Sequence, residues 1–193
     1  MVRSNKNKVL IISAPSGAGK STLVNHLLKS GLPLAFSVSA TSRKPRTQEV
    51  NGREYYFIRT AEFKRKIKAG EFIEWQEVYQ NHYYGTLKKE IERITNEGMI
   101  PLFDVDVQGG INLKKIFGDN ALAIFIMPPS LEELKARLIK RGTETPEDIG
   151  MRVEKAFSEI LLADSFDRVI VNDDLRRASG EISSVIREFI GKK

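Results

Sequence analysis

Val9-Leu10-Ile11-Ile12-Ser13-Ala14-Pro15-Ser16-Gly17-Ala18-Gly19-Lys20-Ser21-Thr22 passes from an apolar run through a loop of small residues into Gly-Lys-Ser. Leu23, Leu27 and Leu28 follow at helical spacing, so the segment predicts a buried strand, a tight loop and an amphipathic helix. In that context the loop reads as a phosphate cradle. Its backbone N–H groups surround polyphosphate oxygens, the Lys20 ammonium reaches the β- and γ-phosphates, and the Ser21 hydroxyl ligates Mg²⁺. The expected ATP-binding residues are Ala14, Pro15, Ser16, Gly17, Ala18, Gly19, Lys20, Ser21 and Thr22. Such loops usually open on glycine, where this chain has Ala14. Pro15 biases that residue toward extended backbone with negative φ, where a methyl group costs little.

At 193 residues the chain suits one ordinary domain with a real core and a small inserted lobe. It has no cysteine, which excludes disulfides, thiolate metal sites and a cysteine nucleophile. His26 and His82 lie far apart without ligand spacing around them and read as surface residues. The apolar run after Met1 to Lys8 is too short for a signal-peptide core, and nothing later approaches a membrane span, so a cytoplasmic protein without a membrane partner is expected. The net charge of +6 raises the question of nucleic acid. Its cations, however, are interleaved with acids, as in Lys88-Lys89-Glu90-Ile91-Glu92-Arg93, which reads as a solvated helix face with i to i+4 pairs. No nucleic-acid partner is expected.

Apolar runs alternate with helical patterns along most of the chain. Val9 to Ile12 precedes a helix over about Lys20 to Lys29, and Ile100 to Val105 precedes a short helix near Ile111. Ala121 to Met127 precedes Leu131, Leu134 and Leu138, and Arg168 to Val171 precedes Leu175, Ile182, Val185, Ile186 and Phe189. Short buried strands separated by helices predict a parallel sheet covered on both faces, an α/β nucleotide-binding core. Pro101 fits its strand as a first residue. From about Ser37 to Thr86 the alternation stops. Asn51-Gly52 signals a hairpin, Tyr55-Tyr56-Phe57 a strand and Ala61 to Ala69 a short helix, which together predict an inserted, mostly β lobe. The polar stretch from Arg141 to Asp148 between two helices suggests a mobile lid.

Within the lobe, Ser39-Ala40-Thr41-Ser42-Arg43-Lys44-Pro45-Arg46 sets two arginines three apart beside a stiffening proline. Arginine forks match phosphate oxygens, and the Tyr55 and Tyr84 hydroxyls could complete a grip on a monophosphate. Taken alone, the same residues fit an exposed basic loop over a small aromatic core. Asp104 and Asp106 end an apolar strand, where a carboxylate either reaches Mg²⁺ through water or caps the following turn.

Phe72-Ile73-Glu74-Trp75 and Tyr83-Tyr84-Gly85-Thr86 add a carboxylate in an apolar setting and a nearby hydroxyl. With them the chain resembles the guanylate kinase family over essentially its whole length. The matching segments also include Ser13 to Thr22, Phe36 to Ser39, Thr41 to Arg46, Glu49-Val50-Asn51-Gly52, Asp104 to Gly109, Arg141 to Glu144 and Val169 to Asp174. The resemblance implies a core carrying the phosphate loop over 1–36, 88–140 and 152–193, a GMP-binding lobe over 37–87 and a lid over 141–151. It implies Mg²⁺-dependent transfer of the ATP γ-phosphoryl group to GMP by a monomer or homo-oligomer. Ser39, Glu74, Thr86 and Asp106 match guanine-reading positions, and Arg43, Arg46, Tyr55 and Tyr84 match those holding the GMP phosphate. Asp104 matches the metal side. Arg137, Arg141 and Arg152, with Lys20, match the catalytic cations, and Arg141 and Asn172 match positions near adenine. Guanine chemistry agrees, since its N1–H and N2–H₂ donors suit a carboxylate and its O6 accepts from hydroxyls. Two alternatives remain: a guanylate-kinase-like binding module without catalysis, which Lys20 and Ser21 disfavour, and a kinase of another nucleotide.

Overall fold

The computed structural model describes residues 8–142 and 145–191. The first strand, β1 (Val9–Ser13), is buried along its whole length, and α1 (Lys20–Leu28) follows the loop, burying Leu23, Val24 and Leu27. In chain order come β2 (Leu34–Phe36), β3 (Ala40–Thr41), β4 (Tyr56–Phe57), α2 (Thr60–Lys68), β5 (Phe72–Tyr79), β6 (His82–Leu87) and α3 (Lys88–Asn96). The chain continues through β7 (Ile100–Val105), α4 (Val107–Phe117), β8 (Ala121–Met127), α5 (Leu131–Arg141), α6 (Pro146–Ile160), β9 (Arg168–Val171) and α7 (Leu175–Gly191). A five-stranded sheet has the order β2-β7-β1-β8-β9, and β1 pairs in parallel with β7 and β8, as β8 does with β9. A four-stranded sheet has the order β4-β3-β6-β5. By its contacts the chain forms two compact units, residues 35–101 and residues 8–34 with 102–191. The α/β class with a parallel central sheet, expected from the alternation of apolar runs and helices, is what forms.

In the larger unit the helix ends are chemically specified. Asp106 caps α4 through its carboxylate and the Gly109 N–H at 2.7 Å, and Ser130 caps α5 through the Glu133 N–H. Thr145 and Asp148 form a reciprocal capping box on α6 with Pro146 at its first position, so the polar stretch before it is partly helix. Thr143 and Glu144, central to the expected lid, lie outside the described residues. Leu134, Leu138, Ile149 and Ala156 form the core between α5 and α6. The α4 helix is longer than the short one expected near Ile111, because the cap starts it at Val107. Strand β7 begins at Ile100, so Pro101 is its second residue and not its first. Its register with β1 starts at Leu102, which leaves the proline outside that paired stretch.

The smaller unit is built on a hairpin that the turn signals did not identify. β5 and β6 pair antiparallel around Gln80-Asn81, where Asn81 takes φ of 61°. Asparagine tolerates this left-handed conformation. The expected hairpin at Asn51-Gly52 does not form. Those residues make a local turn in which Gly52 N–H donates to Tyr55 O, and β4 then pairs with β3 in parallel. A stacked Phe63 and Phe72, with Ala40 and Tyr83, make the core of this unit.

Glu90, expected on a solvated face of α3, is instead buried at 3% exposure. Its carboxylate accepts from the Val38 N–H at 3.0 Å, the Tyr56 hydroxyl at 2.9 Å and the Arg93 guanidinium at 2.8 Å. Burial pushes this carboxyl upward, but the hydrogen bonds from Arg93, Val38 and Tyr56 outweigh it and leave it below its ordinary value. Among the described residues no helix is long and apolar enough to cross a membrane.

Replacing Glu90 by alanine orphans the buried Val38 N–H and the Tyr56 hydroxyl, and unfolding in urea is expected to show a loss of about 2–4 kcal/mol. Because the folded carboxyl is lowered, its contribution is present above the ordinary carboxylate pKa and is lost as pH falls through the lowered value. Glu90→Gln should therefore flatten the acid limb of the stability profile, and an unchanged limb would assign it to other carboxylates.

Candidate active site

In the larger unit the buried strand β1 delivers the chain into a loop whose geometry glycine alone permits. Gly17 and Gly19 sit at φ of 94° and 91°, and the Ala18 N–H closes onto Pro15 O at 3.1 Å. Ala14, in the usual glycine position, is buried and does not have positive φ, as Pro15 predicts. A Cβ on Gly19 would stand 2.3 Å from Asn172 Nδ2. That amide donates to Ala18 O at 2.7 Å from a buried position after β9. Asn172 was expected near adenine; here its amide braces the phosphate loop, a role that motif spacing did not reveal.

Lys20, the first residue of α1, is half-buried and points to the end of β7. Its ammonium pairs with the Asp104 carboxylate and donates to Val105 O at 2.8 Å, which uses two of its three N–H groups. Ser21 and Thr22 are exposed in the first turn of α1, where the helix dipole and unpaired N–H groups favour an anion. Asp104 lies beside Lys20, as expected of a metal-side carboxylate, whereas Asp106 commits one carboxylate oxygen to the cap of α4. Ser13 Oγ donates to Asp106 O at 3.1 Å and ties the strand ends together.

Two of the three expected arginines reach the loop. Arg152 Nη1 donates to Ser16 Oγ at 2.6 Å. Arg137 donates to Glu133 at 3.0 Å and to Asn172 O at 3.1 Å, and it comes within 4.0 Å of the Cβ position of Gly19. Arg141 is exposed at the end of α5 and makes no hydrogen bond to the loop among the described residues. No group of three His, Cys, Asp or Glu side chains that could hold a metal occurs among the described residues. The donor set beside Lys20, one hydroxyl and one carboxylate, suits Mg²⁺, which keeps waters and takes most of its other ligands from phosphates.

The smaller unit gathers the other candidates in two groups. Glu74 and Thr86 face each other across β5 and β6, and the buried Thr86 hydroxyl donates to Glu74 Oε1 at 2.9 Å. Gly85 beside them admits no side chain, since a Cβ there would lie 2.6 Å from Glu74 O. In the second group Arg43 Nε donates to the Tyr84 hydroxyl at 3.1 Å, and the guanidinium lies over the Tyr55 ring at 5.1 Å. The Tyr55 and Tyr84 rings meet edge to face at 5.8 Å. Ser39 is half-buried, its carbonyl accepting from the Tyr56 N–H, and the Arg46 side chain is exposed. His26 and His82 are both exposed.

A glycine-rich loop leaving a buried parallel strand, with a lysine beside a carboxylate at the end of the neighbouring strand, defines a P-loop nucleotide-binding protein. A family model described as guanylate kinase matches residues 6–189. Guanylate kinase of Porphyromonas gingivalis is 56% identical over 186 residues, covering 96% of this chain and 99% of that protein. Guanylate kinase of Bacteroides thetaiotaomicron is 51% identical over 192 residues, covering 100% of this chain and 94% of that protein. The crystal structure of guanylate kinase from Anaplasma phagocytophilum aligns with a TM-score of 0.77 and 32% identity, covering 100% of this chain and 91% of that one. The chain belongs to the guanylate kinase family.

Gly19→Ala should destabilise the protein by about 1–3 kcal/mol, since it combines a positive φ with a clash on a buried amide. In an Asn172→Ala background the clash disappears and only the backbone strain remains. Thermal unfolding of the four variants should then give a clearly smaller penalty for the glycine change, whereas equal penalties would separate Asn172 from the loop.

Proposed function

We propose that the protein transfers the γ-phosphoryl group of ATP to GMP, giving ADP and GDP. The observation that carries this reading is that a chain of this family keeps an intact glycine loop with Lys20 held at its mouth by Asp104 and Val105. A binding module that takes no nucleotide would have no use for that ammonium.

The attacking group is a phosphate oxygen that is already largely ionised at neutral pH, so no strong base is required. Alignment and charge neutralisation provide the catalysis. The loop N–H groups and Lys20 hold the β- and γ-phosphates, and the third Lys20 N–H is the one directed at substrate. Arg137 and Arg152, both bonded at or beside the loop, stabilise charge on the transferring group, and Arg141 joins them from the end of α5. Mg²⁺, when bound, draws charge from the phosphate oxygens; Ser21 would hold it directly and Asp104 through water.

GMP is assigned to the lobe over 37–87, and the segment over 141–151 is assigned the shielding of the transfer from water, which would otherwise hydrolyse ATP. The Glu74 carboxylate accepts from guanine N1–H and N2–H₂. Because the Thr86 hydroxyl donates to Glu74, Thr86 orients that carboxylate, and the Ser39 hydroxyl is the donor left for O6. Asp106, with one oxygen on its helix cap, has the other for the base. Arg43, Arg46, Tyr55 and Tyr84 hold the GMP phosphate. A cytoplasmic location suits these substrates.

Lys20→Met should lower kcat by at least ~10²-fold while the fold survives, because it removes a cation from the transferring phosphoryl group. Wild-type turnover in that variant would remove the Lys20 ammonium from the stabilisation of the transferring group. Glu74→Gln should shrink the ratio of kcat/KM for GMP to that for AMP, since a carboxylate faces a lone pair at adenine N1 and a glutamine amide can donate there. Sites that pair a polar edge reject mismatched analogues by ~10⁴-fold or more, so a lost contact is large enough to read, and an unchanged ratio would remove Glu74 from base recognition.

A further inference from the structure

The segment Glu49-Val50-Asn51-Gly52 opens on a carboxylate that lies between two expected phosphate residues, Arg46 and Tyr55, in the sequence. Glu49 faces Arg43 with both oxygens, Oε2 on Nη1 and Oε1 on Nη2, each at 2.6 Å, in a fork-to-fork pair. Its Oε2 also accepts from the Arg46 N–H at 2.8 Å, while its own N–H donates to Arg46 O at 3.0 Å. The carboxylate is thus locked to the backbone of one expected phosphate arginine and to the side chain of the other. Both side chains of the pair are largely covered, at 14% and 16% exposure.

The guanidinium has five N–H groups in a fixed plane. Glu49 takes one on each terminal nitrogen, Lys44 O takes the second on Nη1 at 3.0 Å, and the Tyr84 hydroxyl takes Nε. The second Nη2 N–H remains, on the same edge as Nε and therefore on the side of Tyr84. The guanidinium carbon packs near two neighbouring aromatic rings, 5.1 and 5.5 Å from the Tyr55 and Phe57 centroids. Four of the five N–H groups are thus accounted for, and the one left is on the Tyr84 edge.

We infer that Glu49 is a positioning residue: it holds the end of the Arg43 fork so that the remaining Nη2 N–H, beside the Tyr84 hydroxyl, is presented to the phosphate of the nucleoside monophosphate. This rests on the assignment of Arg43 to that phosphate. The opposite role, a stand-in anion that leaves when phosphate arrives, is disfavoured by the reciprocal bonds that tie Glu49 to Arg46. Hydrogen bonds from Arg43 first, and from the Arg46 N–H second, hold the Glu49 carboxyl down at about 2, so it stays ionised throughout any assay range.

Steady-state kinetics of Glu49→Gln, with Arg43→Ala as reference, test this. Glu49→Gln keeps the shape but cannot pair both terminal nitrogens as an anion. The GMP KM should rise about tenfold, the ATP KM should stay within about twofold, and the kcat/KM ratio of GMP to IMP, which differ only at the 2-amino group, should not move. Glu49→Asp, which keeps the charge and shortens the reach, should show the same split in smaller measure. A lower GMP KM in Glu49→Gln would make the carboxylate a competitor of phosphate and overturn the inference. A falling GMP to IMP ratio would also overturn it, because a generally loosened lobe disturbs base reading as well. If Arg43→Ala itself leaves the GMP KM unchanged, it is the assignment of Arg43 to phosphate that fails. If Arg43→Ala raises the KM and Glu49→Gln does not, only the role of Glu49 falls.

Discussion

The structure of the larger unit depends on one electrostatic requirement, a concentration of backbone N–H groups held open for an anion at the end of a buried strand. A loop that turns its amides inward needs left-handed backbone, which Gly17 and Gly19 supply, and its buried alanines, Ala14 and Ala18, offer only methyl groups to anchor it. It is therefore held from outside. Asn172 grips Ala18 O, Arg152 grips Ser16 and Arg137 grips the Asn172 carbonyl, so residues from α5, α6 and the end of β9 converge on the loop between β1 and α1. Rigidity at such a site is functional, since a cradle that must reorganise at each turnover loses the advantage of fixed dipoles.

The smaller unit meets the same problem with side chains. A two-stranded hairpin is marginal alone, so β5 and β6 are stabilised by β3, β4 and the stacked aromatic core under α2. Two polar devices lie on this frame: a carboxylate held by a cross-strand hydroxyl, and an arginine beside two aromatic rings held by a carboxylate and a tyrosine. In each, the group that would meet a ligand is oriented by a neighbour, Thr86 for Glu74 and Glu49 for Arg43. Preorganisation of this kind lowers the entropy lost on binding, which matters most for a side chain as flexible as arginine.

What sequence could reveal follows from the range of the interactions involved. The strands β1, β7 and β8 were legible because burial on both faces demands unbroken apolar runs, the edge strand β9 by its β-branched run although only Ile170 in it is buried, and the loop because its chemistry is local. Asn51-Gly52 misled because an asparagine–glycine pair specifies a turn but not the pairing of its flanks; Tyr56 and Phe57 found β3 instead. Glu90 misled because its spacing to Arg93 is that of a surface pair, while the groups that bury it, Val38 and Tyr56, lie 52 and 34 residues away. Asn172 is 154 residues from the carbonyl it holds. Glu49 was visible only as part of a motif, because its pairing with Arg43 depends on the turn between them.

The most direct measurement of the central claim is product analysis with ATP and Mg²⁺ present and GMP, AMP, CMP and UMP supplied one at a time. The account predicts ADP formation that depends on GMP, with GDP appearing in equal amount and little product from the other three. ADP released at the same rate without any monophosphate, or equal turnover of AMP and GMP, would contradict it.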